Sequence, residues 1–280
     1  MFRQLAGAGL VMALMVVVSR ADRDPGAYRS PYKVAFSFSE KELVGDLEHG
    51  PRGDLREQST VPHNEWNSAK ARKTYGSWGP PARHYPAPHG LAERSAQWKR
   101  ERIIAVALRY QGYAYRHHHI PDWIAPGDGP ATDAKAHGGK GVDCSNFASF
   151  AYNQGLGMKP NSGIHQLAKQ IEIPGPGPGH TTKATHVTLP KDYSERIQAL
   201  RTGDLLFIRN KKGEISHVVL WVGTIGRAPD NVPLILDSHG DSVKDADGNT
   251  IPSGIHLRPF LENSWYNHSA SHAHRLIGGR

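Results

Sequence analysis

The chain has 280 residues, 38% of them hydrophobic, and a formal net charge of +8. That length suits one good-sized domain or two small ones, but the apolar content is too low for packing throughout. The basic balance favours acidic partners. The Lys and Arg residues are nevertheless scattered, with no zinc-finger spacing and no RNP-like aromatic strand, so the common nucleic-acid modules are excluded.

Arg3 precedes an unbroken apolar run from Leu5 to Val18, and Ser19-Arg20-Ala21 comes next with small residues spaced for a signal peptidase. Charged start, short apolar stretch and small-x-small ending predict a secretory signal peptide over residues 1–21. The run is shorter than the roughly 20 apolar residues of a spanning helix, so no stable membrane insertion is expected once the signal is removed. The expected location is secreted or periplasmic. Residues 22–92 are rich in Pro, Gly, Arg, Ser and His, with one alternating stretch at Val34 to Phe38. They are expected to form an extended, partly disordered leader, with Trp66, Tyr75, Trp78 and Tyr85 able to wrap the surface of the domain C-terminal to them.

From residue 93 the pattern becomes that of a catalytic-sized domain, 93–280. Ala96 to Gln111 puts Ile103, Ile104, Ala107 and Leu108 on one stripe, an amphipathic helix that Gly112 ends. A polar, Gly- and Pro-rich loop then runs to Gly141; a loop of that length is usually functional or disordered. A second helix is expected over Cys144 to Gln154, with Phe147, Phe150 and Ala151 on its apolar face. Ile173 to Gly179 reads as a turn-rich surface excursion. Five strand-like runs come after it, at 204–209, 216–222, 232–237, 254–257 and 272–277, separated by turns. Helices first and strands afterwards predict an α+β fold, with an antiparallel sheet packed on helices.

Cys144 is the sole cysteine. In an exported chain it has no intramolecular partner, and a lone thiol often packs as an inert small hydrophobe. Its position argues otherwise. It stands where the glycine-rich loop meets a helix, beside unpaired backbone N–H groups and the positive end of the helix dipole, which favour thiolate and can receive an oxyanion. A nucleophile so placed needs a base and an orienting partner. His217 opens one apolar strand and His239 closes another; each alone also fits a structural role.

Asp143-Cys144-Ser145-Asn146-Phe147 resembles the D-C-S-x-F nucleophile motif of NlpC/P60 peptidases. Gly203 to Phe207 and Ser216 to Gly223 resemble that family's G-D-L-x-F and S-H-V-x-x-x-x-G strands, and Leu234 to His239 its next strand. The resemblance covers about Ala96 to Ile277 and rests on three motifs in the right order. It implies a papain-like α+β fold, with the cysteine-bearing helix on an antiparallel sheet. It also implies a Cys-His-His triad of Cys144, His217 and His239. The spacing from His217 to His239 is longer than usual in the family, and Asp237 and Asp241 are alternative orienting groups. Asn146 stands where the family commonly has Gly, and a Gly-Gly pair after the upstream tyrosine is missing. By resemblance Tyr115, with Tyr113 in reserve, joins Asp143 and Ser145 in a substrate pocket. The implied activity is that of a peptidoglycan endopeptidase, commonly cutting D-γ-glutamyl–diamino-acid bonds in stem peptides. Peptidoglycan is therefore the expected partner, and a basic exported protein suits an anionic wall.

No cofactor and no metal site are expected. Three adjacent histidines, His117 to His119, cannot converge on one ion as an i, i+4 pair does and read as solvated loop residues. His268, His272 and His274 read as surface or strand residues. Asp245 to Asn249 lacks the bidentate Glu of a calcium loop and is expected to be a hairpin turn.

Overall fold

A computed structural model of the chain describes residues 28–48, 57–121, 141–177, 179–228, 231–245 and 247–278. The expected signal peptide lies outside them, as do parts of the leader and most of the loop before Cys144. Among the described residues no helix is long and apolar enough to cross a membrane.

The chain begins with β1 (Lys33–Val34), α1 (Glu40–Val44) and α2 (Ala69–Tyr75), then the long α3 (Ala96–Leu108) and α4 (Cys144–Leu156). A short α5 (Ile164–Leu167), a hairpin of β2 (Glu172–Pro174) and β3 (Thr181–Lys183), β4 (Thr185–Thr188) and α6 (Tyr193–Ala199) come after these. The sheet strands are next: β5 (Leu205–Arg209), β6 (Ile215–Arg227) and β7 (Pro233–His239). The hairpin β8 (Val243–Lys244) and β9 (Thr250–Ile251), β10 (Gly254–Pro259), α7 (Trp265–His268) and β11 (Ala270–Arg275) complete the chain. The main sheet runs β10-β7-β6-β5-β11-β4, with β1 added on β6, and its pairings are antiparallel. Helices α3 and α4 pack on each other and on this sheet, so the α+β expectation holds.

Strand alternation builds two apolar layers. Leu205, Phe207, Val218, Leu220, Val222, Leu234 and Leu236 join the larger core with the helices. Leu206, Ile208, Val219, Trp221 and Ile235 alternate with them and meet Phe260 and Tyr266 in a smaller one. Each large side chain so buried contributes about 1.5–3 kcal/mol. Helices α3 and α4 approach closely at Gly155, where a Cβ would come within 2.9 Å of Ile103 Cδ1.

The leader expectation needs correction over its described part. Leu43, Leu47, Trp66 and Tyr85 are at most 1% exposed and belong to the larger core. Helix α1 is a true helix, closed by a capping box between Ser39 and Glu42. It covers the outer face of α3, so α3 is buried almost all round from Trp98 to Leu108 instead of showing one wet face. The two charged residues of that outer face are matched from the N-terminal segment. Arg102 donates to Asp46 through both terminal nitrogens at 2.7 and 2.8 Å and to the Leu43 carbonyl, while Glu101 accepts from the Ser37 amide at 2.7 Å. Short apolar clusters without periodicity hid this packing in the sequence. The 173–179 excursion is likewise part of the β2–β3 hairpin, and the hairpin turn expected at Asp245 to Asn249 joins β8 to β9.

Candidate active site

Helix α4 starts at Cys144 because Asp143 caps it. The Asp143 carboxylate accepts the Asn146 amide at 2.9 Å, the Asn146 side chain at 2.7 Å and the Ser145 hydroxyl at 3.2 Å. The cap thus takes the Asn146 N–H, while the Cys144 N–H at the first helical position has no intrahelical acceptor. Burial raises the Asp143 carboxyl above its usual value, against the pull of these hydrogen bonds. Gly157, in the left-handed region at φ 68°, ends the helix.

The loop before the helix is held by close backbone approach. Gly141 bridges Ala114 in parallel, and a Cβ at Gly141 would collide with the Ala114 carbonyl. The Ser238 hydroxyl donates to the Val142 carbonyl, tying this loop to β7. Tyr113 serves that framework, its backbone pairing with Ile255. Tyr115 instead lies by the thiol. Burial, with the negative charges of Cys144, Asp143 and Asp241, pushes its hydroxyl well above the usual tyrosine value. The structure thus brings Tyr115, Asp143 and Ser145 beside Cys144 and assigns Tyr113 to the wall.

His217 sits near the start of β6, buried and within electrostatic reach of Cys144. Its Nε2 lies 2.7 Å from Asp237 Oδ2, which leaves Nδ1 for the thiol. Burial alone would push the imidazole down. The charge of Cys144 and the hydrogen bond and charge of Asp237 outweigh it and raise the His217 pKa well above the ordinary histidine range.

The orienting group is Asp237, and the expected place of His239 is corrected. The rings of His217 and His239 meet edge to face at 5.1 Å without a hydrogen bond between them. His239 Nδ1 instead accepts the Asp241 amide at 3.1 Å. The reason is strand direction. Register sets His239 across the strand pair from His217, whereas Asp237, two residues earlier, reaches the far side of the imidazole. Burial lowers the His239 pKa, consistent with a neutral ring lining the cleft.

Two residues that sequence reasoning missed complete this centre. Arg258, fully buried on β10, donates from Nε to Asp237 Oδ1 at 2.8 Å, and the Tyr266 hydroxyl donates to Oδ2 at 2.9 Å. Burial opposes ionisation of Asp237, but the adjacent guanidinium and the His217 contact hold its carboxyl well below the usual range. Burial and the same anion raise the Tyr266 hydroxyl well above its usual value, keeping it a donor. The signal was present as an arginine inside the apolar run Gly254 to Pro259. A third missed residue is Trp265, 39% exposed, whose ring stands 5.6 Å from that of His217 and 5.8 Å from that of His239.

A cavity of about 350 Å³ opens on the next turns of α4. It is lined by Asn146, Ser149 and Asn153, by Lys159, and by Pro81 and Ala82 from the N-terminal segment. Asn146 Oδ1 is buried without a partner. The expectation for His117 to His119 is corrected in part. His118 is fully buried, its Nδ1 satisfied by the backbone of Ile120, and burial pushes its pKa far down. His119 has no solvated role either; it is bonded to the Gly79 carbonyl at 3.0 Å. The N-terminal segment packs on His119 through Trp78 and Gly79.

The family model described as NlpC/P60 family matches residues 134–250. Two solved structures are similar to the chain. One is an NlpC/P60 family protein from Bacillus cereus, 15% identical with a TM-score of 0.39 over 69% of this chain and 42% of that one. The other is the peptidoglycan hydrolase RipB from Mycobacterium tuberculosis, 17% identical with a TM-score of 0.37 over 70% of this chain and 74% of that one. The chain therefore spans less than half the length of the first of these. No curated protein matches the sequence. Residues 134–250, which hold Cys144, His217, Asp237 and His239, are thus similar to the NlpC/P60 family.

Proposed function

We propose that this protein is an exported cysteine hydrolase that cleaves an amide bond in peptidoglycan stem peptides, of the D-γ-glutamyl–diamino-acid type. The observation that carries the reading is the chain of contacts Cys144–His217–Asp237, with Asp237 in turn fixed by Arg258 and Tyr266. The wall substrate and export draw on the family and on the signal-like N-terminus. Residues 1–21 act as the signal, and the chain works outside the cytoplasmic membrane.

Cys144 Sγ attacks the amide carbon, and the carbonyl π pair moves to oxygen. The backbone N–H of Cys144 receives that oxyanion. As the tetrahedral intermediate collapses, the C–N bond breaks and His217 gives its proton to the departing amine. A thioester remains. His217, now neutral, takes a proton from water, whose oxygen attacks the thioester carbon; the carboxylic acid leaves and Cys144 is restored as thiolate beside imidazolium. Asp237 keeps the imidazole in the orientation and charge state that both steps need. Tyr115, Asp143 and Ser145 flank the thiol as the pocket for the amine end of the peptide, and Trp265 offers an apolar wall on the other side.

The test is mass spectrometry of muropeptides and sacculi incubated with the mature protein and with its Cys144→Ala variant. Products that need Cys144 identify the bond from their masses. No products, with a thiol that alkylates readily, would keep the nucleophile and discard the wall substrate. No products and an inert thiol would indicate a silent wall-binding scaffold.

A further inference from the structure

Strands β4 and β11 place three imidazoles on one face of the sheet. His186 and His274 are direct cross-strand partners, and His272 lies two residues along β11 from His274, so all three project the same way. One nitrogen from each lies within 4.8 Å of the others. The rings are crowded together: His186 stacks on His272 at 4.8 Å, and His272 and His274 are 5.1 Å apart. Phe207, fully buried, stacks on His272 and meets His274 edge-on, closing the inner side, while His186 is exposed.

Two features mark this as more than aromatic packing. His274 is 3% exposed, and its Nδ1 has no hydrogen-bond partner. His272 Nε2 lies 3.2 Å from the Ala168 carbonyl, which fixes that nitrogen as the donor and leaves Nδ1 with its lone pair, the tautomer that ligating histidines adopt. Its remaining polar neighbour is the Ser271 hydroxyl at 3.1 Å, which can donate to Nδ1 or turn away.

We propose that His186, His272 and His274 form a three-histidine site for a divalent transition-metal ion of the zinc class, separate from the Cys144 centre. Imidazole nitrogens suit zinc, copper and nickel, and three such ligands leave a fourth position for water or a further donor. Ligands about 2.0–2.1 Å from zinc stand about 3.3 Å from one another. Metal binding needs side-chain rotation of exposed His186 toward the other two rings, with His272 kept on the Ala168 carbonyl. The site lies on β11 and β4 at the edge of the sheet, and β5 separates it from β6 and β7, which carry His217 and Asp237. Three of the four residues of β4 are exposed, so little apolar burial holds this edge. A bound ion clips β4 to β11 and supplies the stability that packing does not.

The test uses the full chain without an affinity tag, carrying Cys144→Ala so that the thiol is not a competing ligand. After treatment with a chelator it is titrated calorimetrically with zinc, then with cobalt to read the coordination spectrum. The expected result is one ion per chain, a higher unfolding temperature with zinc, and affinity reduced about tenfold or more by His186→Ala and by His186→Gln. Both variants alter an exposed side chain, and their unfolding temperatures without metal should match the parent. A double change, His117→Ala with His119→Ala, should leave binding intact. No binding, or binding that both His186 variants retain in full, would overturn the proposal.

Discussion

At the scale of single residues, the centre is built around the carboxylate of Asp237. One side of it holds the imidazole; the other is occupied by a fully buried guanidinium. Removing that anion without changing shape, by Asp237→Asn, withdraws the charge and one of the two accepting oxygens, and the charge is what raises the His217 pKa from this side. The sign is direct. The imidazolium is then less favoured, so the alkaline limb of kcat/KM moves to lower pH, and the maximum falls by about 10²-fold. In the parent protein the same limb lies well above the ordinary histidine pKa of about 6.5, so activity persists through neutral and mildly alkaline pH. His239→Ala, in contrast, leaves the position of the limb unchanged, because His239 makes no hydrogen bond to His217. A pH profile of muropeptide cleavage for the three proteins checks both statements. The sequence brought Cys144, His217, Tyr115, Asp143 and Ser145 into view, because each stands in or beside a motif tied to the start of an element. It could not choose between His239 and Asp237. That choice depends on the register of β6 and β7 and on Arg258, a partner from a third strand.

At the scale of elements, helices α3 and α4 and strands β5 to β7, β10 and β11 were legible because their apolar periodicities are sustained. The N-terminal segment was not. Its helices are short, and its buried side chains arrive singly, as Leu43, Leu47, Trp66 and Tyr85. What gives them order is a surface they meet only in three dimensions, the outer face of α3 with its buried Arg102 and Glu101. Helix α1 should therefore behave as part of the core. Leu43→Ala should reduce unfolding free energy by about 2–5 kcal/mol, the range for a fully buried leucine. Denaturant unfolding of the mature protein measures this directly. A loss below about 0.5 kcal/mol, typical of a surface change, would mean that α1 is not packed as described. The same packing puts Pro81 and Ala82 against the cavity beside Asn146, so this segment shapes the ground next to the nucleophile.

At the scale of the whole molecule, one sheet carries the two proposed sites. Its middle strands β6 and β7, with β10 behind them, hold the chain of contacts that ends at Cys144, and its edge strands β11 and β4 hold the histidine cluster. The N-terminal segment closes over the helical layer. The central claim is that Cys144 owes its reactivity to His217, and His217 its position and charge to Asp237. The most direct test needs no knowledge of the substrate: the second-order rate of Cys144 alkylation by iodoacetamide at neutral pH. It is compared among the parent protein, His217→Ala, Asp237→Asn and His239→Ala, each first shown to be folded. The account predicts rapid alkylation of the parent, a large loss in His217→Ala, a clear loss in Asp237→Asn and a rate close to the parent in His239→Ala. Equal rates in the parent and His217→Ala, or a loss in His239→Ala without one in Asp237→Asn, would contradict it.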